Sequence, residues 1–146
     1  MIARYATPDD IPGINNMIDG YDGPVPIDRE RVKHSGAALI NSGGLIVAIH
    51  LGVIVGGAGG YYLPCGFNGD IIFAVMFLYM RPRRRRHVRW FLRQVEFQAG
   101  RQANRIVYAV PVHDRSEKHE RFFRMLGYSR LEVHVEKRLT NGRPAS

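Results

Sequence analysis

Asp70-Ile71-Ile72-Phe73-Ala74-Val75-Met76-Phe77-Leu78-Tyr79-Met80 runs directly into Arg81-Pro82-Arg83-Arg84-Arg85-Arg86-His87-Val88-Arg89. The first stretch is apolar almost throughout, with no alternation of polar residues. That pattern fits a central strand covered on both faces. Its ten apolar residues, Ile71 to Met80, fall far short of the ~20 needed to cross a bilayer. The arginine block suits the phosphates of a cofactor, a nucleic acid or an acidic protein face, and equally a solvated loop.

Downstream, Val88, Phe91, Leu92, Val95 and Ala99 mark one face of a helix to about Gln102. Arg105 to Val110 reads as a strand. Ser116 is placed to cap a last helix with His119, Phe122, Phe123 and Leu126 along one side, and Gly127 to end it. Leu131 to Leu139 alternates as a final strand. Upstream, Ile2 to Ala6 is a short strand, and Thr7 and Pro8 open a helix with Asp10 near its positive end. Ile11, Ile14 and Ile18 form its buried face. Gly20 to Pro26 is a loop, and Asp28 caps a second helix through about Ile40. Leu45 to Leu51 and Val53 to Leu63 form a hairpin about Gly52. No helix follows Gly56, Gly57, Gly59 and Gly60, so these glycines point to a bulge or close backbone approach rather than a nucleotide loop.

The chain of 146 residues, 45% apolar and 23% charged, is expected to fold as one domain over residues 1–139 with a flexible tail from 140 to 146. Met1 to Tyr5 lacks the apolar core of a signal peptide, so a cytoplasmic protein, or one built into an intracellularly assembled particle, is expected. One cysteine, Cys65, excludes an internal disulfide. The six histidines are scattered without ligand spacing, so no metal site is expected.

The order of elements (strand, two helices, three strands, basic loop and helix, strand, helix, strand) resembles the GNAT superfamily of N-acyltransferases along nearly the whole chain. Phe122-Phe123-Arg124-Met125-Leu126-Gly127-Tyr128 resembles the family's aromatic pair before a Leu-Gly-aromatic turn. Met80-Arg81-Pro82 resembles the end of the strand that enters its cofactor loop. The resemblance implies an α/β (α+β) fold: a mixed, mainly antiparallel sheet flanked by helices on both faces. It also implies an acetyl-CoA site involving Leu78, Met80, Arg85, Arg86, Val88, Arg89 and Trp90.

In active relatives the loop reads Gln/Arg-x-x-Gly-x-Gly/Ala, so that backbone amides at a helix N-terminus approach the pyrophosphate closely. Counted from Pro82, Arg85 takes the first position, while Val88 and Trp90 stand where small residues belong. No glycine occurs between Asp70 and Gly100. Val88 is expected to narrow the cradle and Trp90 to fill it. Many relatives protonate the leaving thiolate with a tyrosine in the last helix; Phe123 takes that position here and has no ionisable proton. Ser116 corresponds roughly to a frequent asparagine, and His113 and His119 are further titratable groups.

Trp90 and Phe97, seven residues apart, are expected on the helix face away from the sheet, with Arg86, Arg93 and Arg101. This face is expected to be buried by another protein chain, a second copy or a different subunit, since aromatics mixed with arginines are typical of protein interfaces; they are also typical of nucleic-acid stacking platforms. Three functions follow as expectations. The first is a GNAT-like protein with a degenerate loop that acts in binding or assembly, for example in a phage virion or another large complex. The second is an acetyl-CoA-dependent N-acetyltransferase whose arginines grip the cofactor. The third is a nucleic-acid-binding module.

Overall fold

The computed structural model describes residues 1–23, 25–109, 116–129, 139–140 and 143–144. They fall into two compact units, Met1–Ala109 and Val110–Ser146. In the first unit, β1 (Ile2–Tyr5), β2 (Leu45–His50), β3 (Val53–Pro64), β4 (Ile71–Met80) and β5 (Arg105–Tyr108) form one sheet in sequence order. All neighbours are antiparallel except β4 and β5. Helices α1 (Ile11–Asp19) and α2 (Arg29–Asn41) precede the hairpin, and α3 (Val88–Ala99) follows β4.

The sheet separates two apolar layers. Ile14, Met17 and Ile18 of α1 and Leu39 and Ile40 of α2 pack with Leu45, Val47 and Ile54. On the other layer Phe91, Val95 and Ala99 of α3 pack with Ile46, Ala48, Ala58, Phe73 and Val75. The isoleucine spacing of α1 therefore yields the expected buried face, joined by Met17. Asp28 caps α2, its carboxylate accepting from the Arg31 amide at 3.1 Å. Near the start of α1 a short 3-10 turn, Pro8–Asp10, follows Thr7. There the Asp10 carboxylate accepts from the Thr7 amide at 2.8 Å and from both terminal nitrogens of Arg4, at 2.7 and 2.9 Å.

Two expectations about the sheet are corrected. First, β4 lies inside the sheet but is not covered on both faces along its length. Phe73, Val75 and Met80 are buried, whereas Met76 is 61% exposed. The cause is a bulge: Gly60 pairs with Val75 and Gly59 with Phe77, leaving Met76 as the extra residue. An extra residue reverses which side successive side chains face. Val75 accordingly packs in the α3 layer and Phe77 in the α1–α2 layer. Second, α3 ends at Ala99, not near Gln102, because past Gly100 the Arg101 and Gln102 amides return only three residues, to Gln98 and Ala99.

Glycine is required at the bulge by space. A Cβ on Gly60 would lie 2.2 Å from the Ala74 carbonyl oxygen, and one on Gly59 2.2 Å from a Phe77 ring carbon.

In the second unit, α4 (Ser116–Met125) ends as expected: Gly127 has φ +92°, and the Tyr128 amide returns to the Phe123 carbonyl at 3.1 Å. The strand expected at Leu131 to Leu139 lies outside the described residues except for its end. There Leu139–Thr140 (β6) pairs with Arg143–Pro144 (β7). No helix among the described residues is long and apolar enough to cross a membrane.

Candidate functional site

The bulge at Met76 divides β4 into two parts with different neighbours. Residues Ile72 to Val75 pair with β5, from Arg105 to Tyr108. Past the bulge, Phe77 to Met80 pair, among the described residues, with β3 only. This is the end at which the strand delivers the chain into the arginine block.

That block is wound as a 3-10 helix, Pro82–His87, which passes into α3 at Val88. In a 3-10 helix each amide donates to the carbonyl three residues back. The Arg84 amide donates to Arg81 at 2.8 Å, and the Val88 amide donates to Arg85. Pro82 has no amide to give. Those two N–H groups are therefore turned to carbonyls of the same segment, and every residue of the loop carries a side chain.

The arginines divide into two sets. Arg85 donates to Asp22 at 2.8 Å and Arg81 to Asn16 at 2.9 Å, tying the loop to α1 and to the loop after it. Tyr79 donates to the same Asp22 oxygen at 3.0 Å; burial and that carboxylate hold its phenol above the usual range. Arg83, Arg84 and Arg86 form no ion pair among the described residues. Arg86 donates to the His87 ring at 3.1 Å. His50, at the end of β2, is held below the ordinary imidazole range by partial burial and then by Arg84 and His87.

Several residues singled out in the sequence have different surroundings from those expected. Arg85 pairs with Asp22 across two half-exposed side chains. Val88 and Trp90 are half-buried and pack against the α3-side core, so neither stands simply as a plug in an open cradle. Met80 is only 4% exposed and Leu78 also packs inward, which leaves mainly their backbone to line a site. Arg86, Arg89, Arg93, Phe97 and Arg101 are exposed as expected. In the second unit Phe123 is half-buried, with ring centroids 5.8 Å from Phe122 and 5.4 Å from Tyr128. The side chain of Ser116 and all of His113 lie outside the described residues.

An open cleft of about 550 Å³ lies where α1 meets the start of the loop, lined among others by Asn15, Asn16, Asp19 and Arg81. The Arg81 Nε is buried there without a hydrogen-bond partner. The sequence offered one signal for this network: Asp22 is the only charged residue between Gly20 and Pro26. Its partners, sixty residues away, were not legible. Among the described residues no cluster of His, Cys, Asp or Glu is arranged to hold a metal.

No family model matches the chain, and no curated protein matches it by sequence. Solved structures do match. A ribosomal-protein-alanine N-acetyltransferase from Brucella melitensis biovar Abortus 2308 aligns with TM-score 0.75 at 14% identity, over 95% of this chain and 100% of that one. AAC(6')-Iy, solved with the bisubstrate analogue CoA-S-monomethyl-acetylneamine, aligns at 0.69 and 14%, over 95% and 97%. A transcriptional regulator from Bacillus halodurans C-125 aligns at 0.68 and 17%, over 94% and 99%. The chain has the GNAT fold. Acetyltransferases are prominent among its structural neighbours, and at these identities the likeness defines the fold alone.

Measured against a CoA pyrophosphate, the loop does not fit as a backbone cradle. The Arg84 and Val88 amides are used internally, no glycine admits close approach, and Arg85 pairs with Asp22.

Proposed function

We propose that this chain is a GNAT-fold protein with a degenerate cofactor loop, acting through binding or assembly rather than through acetyl transfer. The observation that carries this reading is the glycine-free 3-10 helix Pro82–His87, where the Arg84 amide closes on Arg81 and the Val88 amide on Arg85. In this fold the loop now joins β4 and α3 to the α1–α2 loop through Arg81–Asn16 and Arg85–Asp22. Phe123, at the position of the family's acid, supports the same reading because a phenyl ring cannot protonate a thiolate.

A second reading, an acetyl-CoA-dependent N-acetyltransferase gripping the cofactor with side chains, is favoured by one observation. Arg83, Arg84 and Arg86 have no acidic partner among the described residues, and planar guanidinium groups suit phosphates.

Thermal unfolding with 1 mM acetyl-CoA separates the two readings. A ligand at a thousand times its dissociation constant stabilises by about 4 kcal/mol, a shift of roughly 10–15 °C for a domain of this size. The degenerate loop gives no measurable shift. A rise of several degrees supports the arginine-grip enzyme instead.

A further inference from the structure

Residues 81–105 hold nine arginines and one acid, Glu96, so this segment alone accounts for the chain's formal charge of +8. Arg85 is neutralised by Asp22, and Arg105 approaches Asp70 at 3.9 Å. The others have no acidic partner among the described ion pairs. On α3, Arg89, Arg93 and Phe97 follow at intervals of four and are all exposed, and Arg101 continues the row just past the helix. Four residues rise about 6 Å along a helix, so the row presents a charge or a ring at each turn. Phe97 is 60% exposed, with the Arg101 guanidinium 5.2 Å from its ring centroid.

From this geometry we infer that the outer face of α3 is a docking surface for single-stranded nucleic acid, with Arg89, Arg93 and Arg101 on the phosphate backbone and Phe97 stacking on a base. A row of unpaired cations needs a partner with repeated negative charge, which a nucleic-acid strand supplies at regular spacing. A second copy of this chain is disfavoured, because two such faces repel. A bilayer surface is disfavoured as well: an interfacial helix needs an apolar face to insert, and Phe91, Leu92, Val95 and Ala99 of α3 are buried in the protein. Trp90 is half-buried. Phe97 is therefore the exposed aromatic of this row, and charge dominates it.

The test is fluorescence anisotropy of a labelled oligothymidylate titrated with the full chain at several salt concentrations. Three phosphate contacts give a slope of log K against log salt of about −2. Replacing Arg89, Arg93 and Arg101 by serine should lower affinity at least tenfold and flatten that slope. Replacing Arg29 and Arg31, exposed on α2, should change it less than threefold. Phe97→Leu keeps apolar bulk without the ring. It should weaken the oligonucleotide several-fold while leaving binding of inorganic polyphosphate unchanged. Circular dichroism of each variant establishes that it is folded; if the triple variant unfolds, Arg93→Ser alone, with a shallower slope, provides the readout. No binding at low salt overturns the proposal. So does equal loss from the α2 variant. Polyglutamate competing as well as the oligonucleotide, with Phe97→Leu silent, also overturns it and identifies an acidic protein as the partner.

Discussion

The Arg85 guanidinium and the Asp22 carboxylate meet at 2.8 Å across sixty-three residues of sequence, with both side chains about half exposed. An ion pair that open to solvent contributes no more than about 1 kcal/mol. Its effect is positional: it fixes the loop after α1 to the loop after β4. Asp22→Ala should therefore change stability by about 1 kcal/mol or less while releasing the loop. Hydrogen exchange should then speed up at Gly20 to Gly23, with α2 unaffected. Unchanged exchange would mean that the loop is held by its own packing.

The two phenylalanines of α3 provide a sharper contrast. Phe91 is fully buried, whereas Phe97 is 60% exposed. Phe91→Ala should cost about 3–5 kcal/mol, and Phe97→Ser less than about 0.5 kcal/mol. Chemical denaturation of both variants checks the helix orientation directly. Comparable losses would mean that α3 is rotated.

The bulge offers a third test. Gly60→Ala places a Cβ 2.2 Å from the Ala74 carbonyl oxygen. Backbone on a paired neighbouring strand cannot yield cheaply, so a loss of about 2–3 kcal/mol is expected. Gly66→Ala, where a Cβ meets nothing within 4 Å, should be near neutral. A tolerated Gly60→Ala would show that the two strands can separate without cost.

These elements also show what the sequence could and could not convey. The faces of α1 and α3 were legible because helical spacing is local: Ile14 and Ile18, and Phe91, Leu92 and Val95, repeat within a few residues. The glycines at 59 and 60 announced an irregularity on their own strand. The position of the extra residue, Met76, lies on the partner strand and depends on pairing register, which composition does not encode. Arg85 was read against a family motif as a phosphate ligand. Its contact with Asp22 is set by tertiary approach, and nothing local distinguishes a paired arginine from a free one. The half-burial of Trp90 was not legible for a related reason: helical phase gives a direction, whereas a large ring near a helix end can still reach the core.

Acid stability should depend on Asp10. Hydrogen bonding from Arg4 is the main cause holding its carboxyl below the ordinary value of 3.8, reinforced by the Thr7 amide. A depressed native value contributes stability that is present above pH 3.8 and lost as pH falls through the native value. Wild type should thus be more stable than Asp10→Asn at pH 7, with the gap closing toward pH 2–3. Denaturant midpoints of the two proteins across that range test the sign. A gap that widens on acidification would contradict the Arg4–Asp10 pairing.

The most direct measurement is a calorimetric titration of the wild-type chain with acetyl-CoA. A glycine-free 3-10 loop whose Arg84 and Val88 amides close internally, and whose Arg85 pairs with Asp22, predicts a dissociation constant weaker than about 1 mM, or no heat at all. A micromolar constant, equivalent to about 8 kcal/mol of binding free energy, would contradict it and establish that the remaining arginines rebuild the cofactor site.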